Sequence, residues 1–104
     1  MRRPLPNRRD HELVDFRFRG LRHTLGIGRF HNGGLAEVFV DCERTGSPMA
    51  DDARDAAVCL SIALQHDVPV ETIRLAVTRN SDNAATGIVG KVLDILSRTE
   101  GFSP

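Results

Sequence analysis

His23, His31 and His66, together with Cys42 and Cys59, are the side chains that could ligate zinc or iron or carry redox chemistry. No two of these histidines stand at a metal-ligand spacing, and the cysteines lie 17 positions apart with no CxxC, so the paired local motif of such sites is missing. An apolar strand face for Cys42 and a helix interior for Cys59 are the surroundings of inert, buried thiols. Asp51, Asp52 and Asp55 have the oxygen chemistry of a magnesium site, but they follow Ser47-Pro48, where acids in the first turns of a helix are explained by its dipole. Gly26-x-Gly28 falls inside a strand pattern and opens no helix, so it is not a dinucleotide fingerprint. No Ser-His-Asp or Cys-His arrangement can be drawn from the order of these residues. The residues alone therefore point to no catalytic residue, no metal and no cofactor.

The arginines are the other chemically suggestive group. The 104 residues carry 14 basic and 14 acidic side chains, but residues 1–30 hold eight arginines against three acids, leaving six basic residues against eleven acids in the remainder. Arg2, Arg3, Arg8 and Arg9 lie in a proline-containing segment without periodicity, which reads as an extended basic arm over residues 1–10 ahead of a single domain over 11–104. Such an arm is a candidate for anion or nucleic-acid binding. Against that reading, it has no aromatic residue to stack on bases, and the acidic remainder of the chain or a neighbour competes for the same charges. No apolar run approaches the roughly 20 residues of a membrane span and no secretory signal is visible, so the expected setting is cytoplasmic and reducing, with no membrane partner.

The elements that must position these residues are organised around Asn32-Gly33, which separates two alternating apolar and polar runs and reads as a type I′ hairpin turn. That turn pairs Leu25 with Val40, Gly26 with Phe39, Ile27 with Val38, Arg29 with Ala36 and Phe30 with Leu35. Upstream, Arg19-Gly20-Leu21-Arg22 fits a type II′ turn with Gly20 in its first central position, pairing Phe18 with His23, Phe16 with Leu25 and Val14 with Ile27. Both turns place Val14, Phe16, Phe18, Leu25, Ile27, Ala36, Val38, Val40 and Cys42 on one face of a three-stranded meander over 12–19, 22–31 and 34–43. Ser47 and Pro48 then begin a helix to about residue 66, whose Ala53, Ala57, Leu60 and Leu64 stripe is broad enough to cover that face. A short helix over 69–78 and a last one over 84–97 follow, separated by a polar loop at 79–83. Gly87 and Gly90 imply either close packing or a loosened end. The fold class is α+β: a three-stranded antiparallel meander covered on one face by a long helix, with two further helices.

Two stretches, Leu5-Pro6-Asn7-Arg8-Arg9 and Arg54-Asp55-Ala56-Ala57 through Ser61-Ile62-Ala63-Leu64-Gln65-His66 to Val68-Pro69-Val70-Glu71-Thr72-Ile73, combine with Gly33-Gly34-Leu35-Ala36-Glu37-Val38-Phe39-Val40 to resemble the TSCPD domain. That domain occurs near the C-terminus of adenosylcobalamin-dependent (class II) ribonucleotide reductases and as small free-standing proteins. The resemblance implies a non-catalytic accessory or binding module connected with ribonucleotide reduction and deoxynucleotide supply, with a reductase or a related protein as partner. It does not imply that this chain performs the reaction, which needs a cofactor site, a reducing cysteine pair and a thiyl-forming cysteine inside a large barrel. The Thr-Ser-Cys-Pro-Asp element that names the domain is absent, residues 78–83 reading Thr-Arg-Asn-Ser-Asp-Asn instead. Two other readings are a nucleic-acid or nucleotide-phosphate binder that uses the basic N-terminal third and, more remotely, a small metal-dependent enzyme.

The meander leaves its outer strands as edges. The third strand has no proline, and its outer side is expected to show Leu35 and Phe39 among Glu37, Asp41 and Glu43, while the first offers Arg17 and Arg19. Edge pairing or stacking of two copies would bring these arginines to acids and bury Phe39, so a homodimer is expected with Arg17, Arg19, Leu35 and Phe39 at its interface.

Overall fold

The computed structural model describes residues 2–5 and 11–99. Three antiparallel strands, β1 (His11–Phe18), β2 (Leu21–Arg29) and β3 (Leu35–Cys42), form one open sheet in the order β1-β2-β3, followed by α1 (Pro48–Gln65), α2 (Val70–Arg74) and α3 (Ile88–Thr99). This is the expected α+β architecture.

Both turns differ from expectation in type. Arg19 (φ 50°) and Gly20 (φ 80°) are the two central residues of the first, a type I′ turn flanked by Phe18 and Leu21. The ladder is therefore two residues from the expected register: Phe16 faces His23, Val14 faces Leu25 and Glu12 faces Ile27. A two-residue shift preserves side-chain parity, so the buried face is unchanged. The second loop holds three residues: the Gly33 N–H donates to Phe30 O at 2.9 Å and the Phe30 N–H donates to Gly34 O at 2.8 Å. Gly33 alone takes positive φ there, at 89°, and a bulge beside Gly28/Arg29 absorbs the extra residue. Leu25–Val40, Gly26–Phe39 and Ile27–Val38 pair as expected, but Arg29 meets Leu35 in place of Ala36. The bulge also alters what Leu35 touches: it packs against the main apolar core rather than standing on the outer side.

The dry face is real, with Leu25, Ile27 and Ala36 fully buried and Val38, Val40 and Cys42 nearly so. At its β1 margin Val14, Phe16 and Phe18 are only half-buried. Helix α1 starts as expected, Ser47 capping the Ala50 N–H at 3.1 Å with Pro48 at the first helical position. It does not cover the face alone: Val92, Leu93, Ile95 and Leu96 of α3 join Leu25, Ile27 and the α1 stripe in one core, while α1 lies against β3.

The polar stretch after α2 is a miniature hairpin. Arg79 bridges Ala85, and Asn80 Oδ1 accepts from the N–H groups of Asp82 and Ala84 at 2.9 and 3.0 Å. Because residues 84–86 are consumed by this hairpin, α3 begins at Ile88 rather than Ala84; α2 ends at Arg74, short of the expected residue 78. Gly90 is needed for close packing, since a Cβ there would lie 2.7 Å from Ala85 Cβ and 3.1 Å from Val77 Cγ2.

Candidate functional site

Residues Ser61 and Gln65 stand one turn apart on the flank of α1 that meets the outer edge of β3. The Val38 N–H donates to Ser61 Oγ and the Ser61 hydroxyl donates to Val38 O, each at 3.0 Å. Gln65, 2% exposed, donates from Nε2 to Ala36 O at 3.1 Å and accepts from Arg2 Nε at its Oε1. The Gln65 carbonyl in turn accepts the Arg3 N–H. Arg3 also lies over the Phe30 ring, 3.8 Å from its centroid, and pairs with Asp67 at 2.9 Å. Arg2 and Arg3 are thus clasped to the end of α1. Arg8 and Arg9, and most of the expected 1–10 arm, lie outside the described residues.

Two hollows flank this clasp and the helix starts. A groove of about 590 Å³ runs between β3 and α1 and is lined by Arg2, Leu5, Phe39, Arg54, Val58 and Ile62. Phe39, Val58 and Ile62 are exposed by 48, 50 and 39%, so the groove carries a contiguous apolar strip. Arg2, Arg54 and Asp41 are charged residues of its lining, and charges of both signs suit a mixed-charge protein segment better than a bare phosphate. The second, a cleft of about 660 Å³, lies among the β1–β2 turn and the starts of α1 and α3, with Phe18, Met49, Val77 and Ile88 as walls and Arg19, Asp52 and Asp55 as its charged groups. Its size suits a small ligand.

The expected interface residues are not brought together. Phe39 is half-exposed beside His11, ring centroids 5.5 Å apart; Arg17 is exposed on β1; Arg19 donates to Thr86 O at 3.0 Å; Leu35 is turned to the core. Glu37 corrects the expected acidic outer surface: it is 4% exposed. Its side chain folds over Gly28, whose missing Cβ leaves the space, Glu37 Cγ lying 2.8 Å from where that atom would be. His23 is buried on the dry face, stacked on Phe16 (5.3 Å) and edge-on to Phe18 (5.8 Å), whereas His31 and His66 are exposed at the hairpin tip and after α1. Cys42 is buried, but Cys59 is exposed on the solvent side of α1, contrary to expectation, because the inward stripe passes through Ala56, Ala57 and Leu60. Among the described residues no three His, Cys, Asp or Glu side chains are grouped to hold a metal ion, and no helix is long and apolar enough to cross a membrane.

One charged cluster had no counterpart in the sequence reading. Asp94 of α3 accepts from Arg74 Nε at 2.9 Å and from Arg79 Nη2 and Nη1 at 2.8 and 3.0 Å. Arg79 also donates to Arg74 O and Asn83 O, both at 3.2 Å, so the cluster ties α2 and the miniature hairpin to α3. The Arg79 hydrogen bond holds the Asp94 carboxyl below its ordinary pKa, burial opposing and Arg74 assisting.

Over 70 residues the chain is 31% identical to a vitamin B12-dependent ribonucleotide reductase of Agrobacterium fabrum (strain C58 / ATCC 33970). The matched stretch is 67% of this chain and 6% of that enzyme, so the chain spans a small part of the relative's length. No family model matches the sequence, and no solved structure matches it. The chain is linked by sequence to one region of that reductase.

Proposed function

We propose that this chain is a non-catalytic accessory or binding module of the TSCPD type, acting in the cytoplasm with a ribonucleotide reductase or a related protein in deoxynucleotide synthesis. The observation that carries this reading is the 70-residue similarity to a region of a vitamin B12-dependent ribonucleotide reductase. Two further observations support it. The free cysteines occupy different environments, Cys42 in the sheet and Cys59 on the solvent side of α1, unlike a reducing pair. The β3–α1 groove is an apolar strip with a charged rim, as a protein contact requires.

The test is titration of the purified chain with the vitamin B12-dependent ribonucleotide reductase of its own source, read by light scattering and by ribonucleotide turnover. The expected result is a complex that persists as salt is raised, with no ribonucleotide converted by the chain alone even with adenosylcobalamin and reductant supplied. Absence of a complex would overturn the reading. If the chain instead bound a DNA or RNA duplex with affinity falling steeply as salt rises, the basic N-terminal third, with Arg2, Arg3, Arg8 and Arg9, would be the functional surface.

A further inference from the structure

The two edges of the sheet are treated differently. The β3 edge is closed, with Val38 and Val40 1 and 4% exposed and the Val38 N–H and C=O both taken by Ser61. Among the described residues the β1 edge has no such cover. Because Phe18 and Leu21 flank a two-residue turn, they form a hydrogen-bonded pair, so the backbone groups of Phe18, Phe16, Val14 and Glu12 point to β2 and those of Arg17, Asp15, Leu13 and His11 point outward. All four of these outward residues are exposed, Leu13 by 73%. The strand has eight residues and no proline, and an open edge of this kind is a template for another strand.

The side chains of β1 indicate which strand. On its outer face Asp15 and Arg17 alternate in sign. Arg17 faces Arg22 across the β1–β2 ladder, a like-charge neighbour that an acid from outside would relieve. On its inner face Val14, Phe16 and Phe18 are half-buried, so the core is unfinished along this margin. We infer that a second copy of this chain pairs with it through β1, antiparallel, about a two-fold axis at Phe16, extending two three-stranded sheets into one of six strands.

Register decides the axis. Centred on Asp15, the pairing would set that acid against itself; centred on Val14, it would set His11 against Arg17 and Leu13 against Asp15. Centred on Phe16, it sets Asp15 against the partner's Arg17 twice, Val14 against the partner's Phe18 twice, and the two Phe16 rings against each other. Asp15 and Arg17 then form the hydrogen-bonded pairs, and Phe16 the non-hydrogen-bonded pair whose side chains approach most closely. This inference is independent of the reductase reading, since it concerns the chain with itself.

The test is mass by light scattering on the full chain over a wide micromolar range, for wild type, Asp15→Arg, Arg17→Asp and the double charge swap, with circular dichroism to check folding. A dimeric wild type, two monomeric single variants and a dimeric double variant are expected, because the swap restores opposite charges only in this register. A wild type that stays monomeric, single variants that stay dimeric, or a double variant that stays monomeric would each overturn the proposal. If a variant fails to fold, hydrogen exchange on the wild type replaces it. The Asp15 and Arg17 amides should gain protection at least tenfold from dilute to concentrated protein while the Val38 amide does not change, and equal protection at both concentrations would overturn the proposal.

Discussion

The hydroxyl of Ser61 lies 3.0 Å from both the nitrogen and the oxygen of Val38, so one side chain of α1 satisfies both outward backbone groups of a residue on an edge strand. A strand placed there by another chain would have to displace this helix. The edge is closed from within, as proteins with open sheets require.

Ser61→Ala follows directly. Both Val38 groups lose their partner in a place nearly closed to water, and the cost should be about 1 to 3 kcal/mol in denaturant melts. A change near zero would mean that water replaces the hydroxyl without penalty.

Gly26 and Gly28 are neighbours on β2 with different demands. A Cβ at Gly26 would meet Leu13 and Phe39 at an ordinary 3.6 Å, whereas one at Gly28 would collide with Glu37 Cγ at 2.8 Å. Gly28→Ala should therefore destabilise by about 1 to 3 kcal/mol by displacing a buried carboxylate, and Gly26→Ala by less than about 1 kcal/mol. Equal melting midpoints for the two variants would contradict this difference.

These sites show what could be read in advance. The buried face was legible because side-chain parity survives a two-residue error, so the expected type II′ turn at Gly20-Leu21 set Phe16 opposite Leu25 instead of His23 without turning it over. The turn type itself was hidden because it requires positive φ at Arg19, which no residue preference announces in an arginine. Burial of Glu37 depends on the space over Gly28, a cross-strand relation that periodicity does not encode. The clasp left a fainter signal: Ser61 and Gln65 are polar residues four apart on α1, flanking Leu64 of its apolar stripe. Their partners lie in β3 and the N-terminal segment, 23 to 63 residues away in sequence, beyond the reach of local pattern.

Gln65→Leu tests the clasp. It keeps the apolar bulk but leaves Ala36 O and Arg2 Nε without their partners, at a cost of about 1 to 3 kcal/mol. Limited proteolysis should cut the N-terminal segment sooner in the variant than in the wild type. Unchanged cutting would show that the Arg3 contacts with Asp67 and Phe30 hold the segment by themselves.

Asp94 gives the fold a defined acid response. Its carboxyl is held below the ordinary value by the Arg79 hydrogen bond, against burial and with help from Arg74. Such a group contributes stability that is complete above the unfolded-state pKa, near 4, and is lost as pH falls through the lower folded-state value. The site is partly solvated, so Asp94→Asn should cost only about 1 kcal/mol at neutral pH. Urea melts of wild type and variant should differ fully at about pH 6 and converge below about pH 4, as the wild-type carboxyl takes up its proton. A difference that stays constant to the lowest pH at which the protein remains folded would mean that Asp94 acts through its shape and its neutral hydrogen bonds, not through its charge.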